Sequence, residues 1–514
     1  MRARLDPVGS VVATVFLCLS FTPSLLPRSW VMQGILSGLT AVTGYAAGFL
    51  LGWLPRRAMR SYPPSQAARR WALWTYAAVT AVTLPLCLYQ GWRRQGEVAG
   101  LIGTAPPPAV SWLGVLPLAA AVFAVVVGGW RGLYHGVRRL GRGVAAAAVL
   151  LVLTHGAAWN FSAMSDALAR TLDGRVTALA APADPDRSGS PLSYVSWASL
   201  GRQGRAFVTG AAPEAQPRPV RPIRVYAGLR SAATDRDRAR LVVAELDRTG
   251  AFERRVLCLV IPTGSGWIDE PTVRALEAEY HGDTALAAVQ YSALPSWLSF
   301  LTEPERARAA SAALLDEVHR RWSALPAATR PKLLIYGHSL GAVGAQAPFE
   351  AAGGSLSQVD GALFSGPPAA SGLWRGLVAA RDRDSTAVTP RLPGRPDIRF
   401  ANRIGDLGAP GRPRVLFLQH PTDPVVWWSP AVILRPPDWL REPSPDPVLR
   451  KVRWYPFVTF WQLSADMLAA LDVPAGYGHR YGSEAPSAWA LLTGESPGGP
   501  AAIPPSAASP ASRR

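Results

Sequence analysis

Cysteine and lysine are scarce in this sequence, and over the first third of the chain so is charge of either sign. Only three cysteines occur among 514 residues. Cys18 and Cys87 lie in apolar runs and Cys258 in a strand-like stretch, which excludes a disulfide framework, a metal-spaced thiolate pair and a paired redox motif. No metal and no cofactor is expected. Lysine is confined to Lys332 and Lys451, so the net charge of +18 is almost wholly arginine. The isoelectric point near 10.6 would suit a nucleic-acid partner. Yet the arginines flank apolar runs or are dispersed among Asp and Glu, with no basic stripe interleaved with aromatics, so no nucleic acid is expected.

The low charged fraction, 17%, arises because long stretches before residue 165 hold almost no charge. Five membrane spans are expected, at about 8–26, 33–54, 71–91, 110–130 and 143–163, each near the ~20 apolar residues that a bilayer needs. The first is no cleaved leader, because Phe21-Thr22-Pro23-Ser24-Leu25-Leu26-Pro27 offers no small-residue cleavage site and a second span follows at once. Arg2 and Arg4 precede span one. Arg56, Arg57, Arg60, Arg69 and Arg70 separate spans two and three, and Arg131, Arg138, Arg139 and Arg142 separate four and five, whereas the other loops hold only Arg28, Arg93 and Arg94. The positive-inside rule makes the first group cytoplasmic, and an odd number of spans then puts everything after the fifth outside. That parity hangs on span one, which carries Thr22 and Pro23. His155 and Asn160 in span five suit helix–helix hydrogen bonds.

The domains expected are a transmembrane domain over 1–165, a connector over 166–220, a catalytic domain over 221–493 and a disordered Gly-, Pro-, Ala- and Ser-rich tail over 494–514. The connector holds the apolar segment from Tyr194 to Val208, which should dock on the catalytic domain. From Pro222 strands and helices alternate. Strands are expected at 223–226, 256–261, 285–291, 361–364 and 415–418, with helices over 233–248 and from Thr302-Glu303-Pro304-Glu305 to about 324. That opening reads as a capping box with proline in the first turn. Alternation of this kind implies an α/β fold with a mainly parallel sheet.

One further strand leads into the stretch that organises the chain. After Pro331-Lys332, Leu333-Leu334-Ile335-Tyr336 is an unbroken apolar run, followed by Gly337-His338-Ser339-Leu340-Gly341 and a small-residue helix. Strand, sharp turn and helix around G-x-S-x-G form the context of a nucleophile elbow, in which glycines let strand and helix pass close together. The nucleophile would be Ser339. Pro262-Thr263-Gly264-Ser265-Gly266-Trp267 follows an earlier strand, where a first oxyanion donor belongs. Gly264 and Ser265 are both candidates for it, and the Leu340 N–H is the second donor. The acid and base should follow in chain order. Asp423 comes after a strand in His420-Pro421-Thr422-Asp423, and His479 lies in a loop after the last long helix. Asp406, Asp438 and Asp446 compete for the acid from less regular settings. His479 would take the serine proton while Asp423 fixes its tautomer. Between them, the aromatic cluster from Trp454 to Leu463 starts a helix that should pack on the core and partly line the pocket; a lid, an acyl-binding wall or a bilayer-facing surface are its other readings.

These segments together, with Ser199-Leu200-Gly201-Arg202-Gln203-Gly204-Arg205 and Gly478-His479-Arg480-Tyr481, resemble the actinobacterial membrane-anchored α/β-hydrolase family over nearly the whole chain. The resemblance implies an α/β-hydrolase domain behind a helical membrane domain, with nucleophile, acid and base at Ser339, Asp423 and His479. The expected activity is that of a membrane-embedded serine hydrolase, an esterase or lipase-like enzyme acting on a lipid or acylated envelope component. Acyl transfer, and a non-catalytic lipid-binding or transport role with the hydrolase fold as scaffold, are the alternatives.

Overall fold

The computed structural model describes residues 5–58, 65–140, 179–210, 220–351, 358–408 and 411–494. Seven short strands form one sheet: β1 (Ile223–Ala227), β2 (Val256–Ile261), β3 (Thr284–Val289), β4 (Lys332–His338), β5 (Gly361–Ser365), β6 (Ile398–Ala401) and β7 (Val415–Leu418), in the order β1-β3-β2-β4-β5-β7-β6. Every pairing is parallel. A parallel sheet needs crossovers that cover both its faces, so its strands read as continuous apolar runs. Burial divides by period two. Leu257, Leu259 and Ile261 of β2 join one core, and Val256, Cys258 and Val260 join the other.

Two features differ from the sequence expectation. Strand β6 lies at the sheet edge with Arg399 and Phe400 only half-buried, so no apolar run announces it. Thr302 does not cap a helix. It ends the helix Ser296–Thr302, and its hydroxyl donates back to the Leu298 carbonyl at 2.8 Å. The longer helix Pro304–Ser323 starts at proline with no side-chain cap, because the Glu303 carboxylate is taken by Ser292 Oγ at 2.7 Å and by Arg306.

The N-terminal part is helical: α1 (Pro7–Leu19), α2 (Trp30–Ala58), α3 (Gln66–Ile102), α4 (Ala109–Trp112) and α5 (Val115–Leu140). Among the described residues, Trp30–Trp53, Gln66–Ile102 and Ala109–Val137 are long and apolar enough to cross a membrane. The first expected span falls short. Helix α1 has 13 residues, about 20 Å at 1.5 Å per residue, against a hydrocarbon core of about 30 Å. It stops because Ser20 and Thr22 fold their hydroxyls back onto Leu17 and Leu19 and prolines follow. The expected span 143–163 and nearly all of the tail lie outside the described residues. Helix α3, at 37 residues, measures about 55 Å and so outruns a bilayer core by about 25 Å.

Close helix packing is made by glycine. A Cβ at Gly34 or Gly38 of α2 would lie 2.8 or 2.6 Å from Leu118 or Val122 of α5. At Gly44 or Gly48 it would meet Phe16 and Val12 of α1 at 2.8 Å. These are two small-xxx-small pairs on one helix, serving two neighbours. The same contacts set directions: α5 runs with α2, and α1 runs against it. Ser10 and Thr14 of α1 meet Tyr76, while Phe21 meets Gly91, so α3 runs with α1. Arg69 and Arg70 at the start of α3, Arg56 and Arg57 at the end of α2, and Arg131, Arg138 and Arg139 at the end of α5 therefore share one end of the bundle.

The opposite end meets the sheet domain. Leu25 and Leu26 between α1 and α2, and Val98 and Ile102 of α3, are buried in the same core as β1 and β2. The helix Val458–Leu468 adds further contact, its Gln462 donating to Thr22 and its Trp461 to Thr43, each at 3.0 Å. The aromatic segment thus packs on the N-terminal helices as well as on the core. Val195, Leu200, Phe207 and Val208, from residues preceding β1, are buried against Tyr226 and the second face of the sheet.

Candidate active site

Strand β4 ends at His338, and the helix Leu340–Ala351 begins two residues later. Ser339 between them has φ +55°, in the left-handed region that a non-glycine residue adopts only when its surroundings over-determine it. The surroundings are tight. A Cβ on Gly337 would lie 2.5 Å from the Gly341 carbonyl oxygen, and one on Gly341 would lie 2.2 Å from that of Ile261. The Ser339 N–H donates to Ser365 O of β5 at 2.9 Å, pinning the turn to the neighbouring strand.

Strand β7 delivers the next residues. The chain turns at His420-Pro421-Thr422, and the fully buried Asp423 then caps the helix Pro424–Trp427, its Oδ1 accepting the Val425 N–H at 2.8 Å. Oδ2 is 2.6 Å from His479 Nδ1 and accepts the Tyr481 hydroxyl at 2.6 Å. His479 Nε2 is buried with no partner among the described residues. The His479 residue lines a cavity of about 420 Å³, together with Ser339, Leu340 and Ser265. Ser339, Asp423 and His479, read from three separate stretches of sequence, thus meet at one end of the sheet. The other aspartates are engaged elsewhere: Asp406 with the Asn402 N–H, Asp438 with Arg381, and Asp446 with the amides of Val448 and Leu449.

The two oxyanion candidates after β2 are not equivalent. The Gly264 N–H donates to the buried Tyr291 hydroxyl at 2.8 Å. That hydroxyl stays protonated because burial pushes its pKa up. Ser265 lines the cavity, and its amide has no partner among the described residues. Leu340 opens its helix, where an N–H has no intrahelical acceptor.

Several residues escaped the sequence reading. Tyr481, two positions past His479, donates to Asp423 and accepts the His420 N–H at 3.0 Å. Burial first, and then the Asp423 charge, hold its pKa well above the ordinary value, so it remains a donor. His420 stacks on Tyr481 with ring centroids 4.1 Å apart and places Nδ1 2.8 Å from Gly478 O. Its Nε2 lies 3.3 Å from Glu484. Burial alone would raise the Glu484 pKa, but the neighbouring His420 imidazole brings it below the usual range. Thr422 Oγ1 accepts the Gly478 N–H at 3.0 Å, so the loops that carry Asp423 and His479 are zipped together. His338, packed on Trp267 and 4.4 Å from the His479 ring, is kept neutral by burial and by its histidine neighbours, which push its pKa well below 6.5. Gln203, from the helix Gly201–Thr209, also lines the cavity, as do apolar Val425, Trp428, Met467 and Leu468. The only sequence signals for this second set were proximity to His479 and an arginine- and glycine-containing segment without a chemical motif.

Among the described residues no three His, Cys, Asp or Glu side chains gather where they could hold a metal ion. A family model described as an alpha/beta-hydrolase family matches residues 223–502, and one described as the N-terminus of that family matches residues 21–212. No curated protein and no solved structure matches the chain. The first match spans the sheet and all three residues gathered at its end, and it covers more than half of the sequence. The chain belongs to the alpha/beta-hydrolase family, with the α/β-hydrolase fold behind a helical N-terminal domain and a hydrolase-type activity to match.

Proposed function

We propose that the protein is a membrane-anchored serine hydrolase that cleaves an acyl ester of a lipid or envelope component through an acyl-enzyme. The observation that carries this reading is the His479 imidazole, bound to Asp423 through Nδ1, with Nε2 unpartnered among the described residues and the residue lining the same cavity as Ser339. In the proposed reaction Nε2 takes the Ser339 proton, Oγ attacks the ester carbonyl, and the N–H groups of Leu340 and Ser265 hold the developing oxyanion. Nε2 then returns its proton to the departing alcohol. Water, activated by the same nitrogen, releases the acid in a second round. Gly264 is left out of the donor pair because Tyr291 occupies its N–H.

The membrane and substrate readings rest on the same geometry. Trp71, Leu73, Trp74, Val79 and Val82 of α3 are exposed as a large apolar surface that calls for an apolar solvent. Leu468 and Leu471 are 66% and 54% exposed yet line the cavity. Leu468 ends, and Leu471 follows, the helix docked on the N-terminal bundle, which favours an acyl chain arriving from the membrane. The arginine-bearing ends of the bundle lie opposite the sheet domain, and by the positive-inside rule the catalytic side is extracytoplasmic. The test is fluorophosphonate labelling of membranes that hold the full chain. Wild type should label, and Ser339→Ala and His479→Ala should not. A folded wild type that stays unlabelled would sink the proposal.

A further inference from the structure

We infer that the N-terminal helices are a working part of the active site, positioning the His479 loop through Asp466 and Tyr477; the inference rests on the reading of His479 as the base. Two separate contacts lead to the same loop. The first starts at Asp466, in the last turn of the helix Val458–Leu468 and fully buried. Its Oδ2 accepts the Ser24 hydroxyl and, at 3.0 Å, the Leu25 N–H. Its Oδ1 lies 3.4 Å from Arg28 Nε, and both side chains are wholly shielded from solvent. The Arg28 N–H in turn donates to Gln95 of α3 at 2.9 Å. One carboxylate therefore fastens the end of this helix to the α1–α2 loop and, through it, to α3.

Immediately after the fastened turn the chain becomes the wall of the site. Met467, Leu468, Ala470 and Leu471 line the cavity. The Ala470 carbonyl accepts the N–H of His479 itself at 2.8 Å. Gly478, at φ +53°, comes so close that a Cβ there would lie 2.6 Å from the same carbonyl oxygen. The second contact reaches the loop from the other side, because the Tyr477 hydroxyl donates to Leu101 O, in the last turn of α3, at 3.2 Å. The backbone on each side of Gly478 is thus held by groups whose own positions are set by the N-terminal helices.

An anchoring domain needs none of this, since a linker would keep the sheet domain at the membrane. A shift of about 1 Å at a catalytic group is enough to cost on the order of 100-fold in rate, so slack in either tether reaches chemistry first. Asp466 and Tyr477 are positioning residues, acting through Ala470 and Gly478.

The experiment uses the full chain in detergent or vesicles with a chromogenic ester and a fluorophosphonate probe, alongside thermal unfolding. Asp466→Asn removes the ion pair, Asp466→Glu restores the charge, and Tyr477→Phe removes a single hydrogen bond at a site where folding should survive. The expected result for Asp466→Asn is a kcat lowered about 10- to 100-fold with KM within about threefold of wild type. Labelling of Ser339 should slow in parallel, with partial recovery in Asp466→Glu. Tyr477→Phe should lower kcat several-fold at an unchanged unfolding temperature. The inference is overturned if folded Tyr477→Phe and Asp466→Asn keep wild-type kcat, or if Asp466→Asn loses activity only in proportion to unfolded protein while Tyr477→Phe is unaffected. Failure of wild type to label would instead remove the serine-hydrolase reading.

Discussion

Tyr481→Phe tests whether the Asp423 carboxylate acts on His479 as the geometry implies. The substitution keeps the ring, and with it the stack on His420, and deletes one oxygen. That oxygen donates to Asp423 Oδ2 at 2.6 Å, the atom that also faces His479 Nδ1. Asp423 keeps the Val425 N–H on Oδ1 and the imidazole on Oδ2, so the carboxylate loses one support and is not removed. A hydrogen bond to a charged group is worth about 1.5–3 kcal/mol. At about 1.36 kcal/mol per decade, loss of that amount from the orientation of the base lowers kcat/KM by roughly 10- to 100-fold. Removing the carboxylate charge in Asp423→Asn should cost more, on the order of 10⁴-fold. Tyr481→Phe also strips the acceptor from the buried His420 N–H, a cost of about 1–3 kcal/mol in stability. Ester hydrolysis must therefore be read beside the unfolding transition. A loss under threefold in a variant with the wild-type transition would refute the reasoning.

Two further outcomes follow from the same site. Gly366 has φ +56°, and a Cβ there would lie 2.5 Å from His479 Cε1 and 2.8 Å from the Tyr481 ring. Gly366→Ala should displace the imidazole and lower kcat by about 100-fold while Ser339 and Asp423 remain in place; near-normal turnover would show that the base has room to move. His338 stays neutral in the fold because burial and the neighbouring histidines depress its pKa well below 6.5. The unfolded chain takes up that proton first, so the contribution of His338 is complete above about pH 6.5 and is lost as pH falls toward the depressed value. The slope is up to about 1.4 kcal/mol per pH unit. Denaturant unfolding of His338→Gln across this range should give a flatter acid limb, and parallel curves for the two proteins would count against it.

Most of the sheet was legible because a parallel strand buried on both faces must be an apolar run. The run Val256–Ile261 was bounded correctly from pattern alone. Strand β6 was not, since an edge strand half in solvent carries Arg399 at no cost. The elbow was legible for a steric reason, as the close approaches at Gly337 and Gly341 leave glycine as the residue type that fits. His479 and Asp423 could be named from chain order, but their supports could not. Tyr481, His420 and Thr422 act through a hydroxyl, a stacked ring and a loop-to-loop bond, none of which has a spacing rule. The choice between Gly264 and Ser265 was open for the same reason, and Tyr291, 27 positions away, bears on it by occupying one amide.

The N-terminal part was legible in its helices and much less so in its joints. Apolar length marks a helix that can cross a membrane, but it says nothing of where such a helix stops being apolar for lipid and becomes apolar for protein. Helix α3 does both, beginning with exposed Trp71 and Trp74 and ending with Val98 and Ile102 in the core of the sheet domain. Helix α1, at 13 residues, falls short of a bilayer core, and parity from the sequence depends on counting it. The geometry gives a different handle. The sheet domain is fastened to the bundle by the α1–α2 loop and by the C-terminal end of α3, whereas the arginines gather where α2 and α5 end and α3 begins. In the proposed topology, a domain joined to one end of the bundle would lie on that side of a membrane whatever the number of spans. The proposed extracytoplasmic placement of the site follows from where charge lies along the helices rather than from their count.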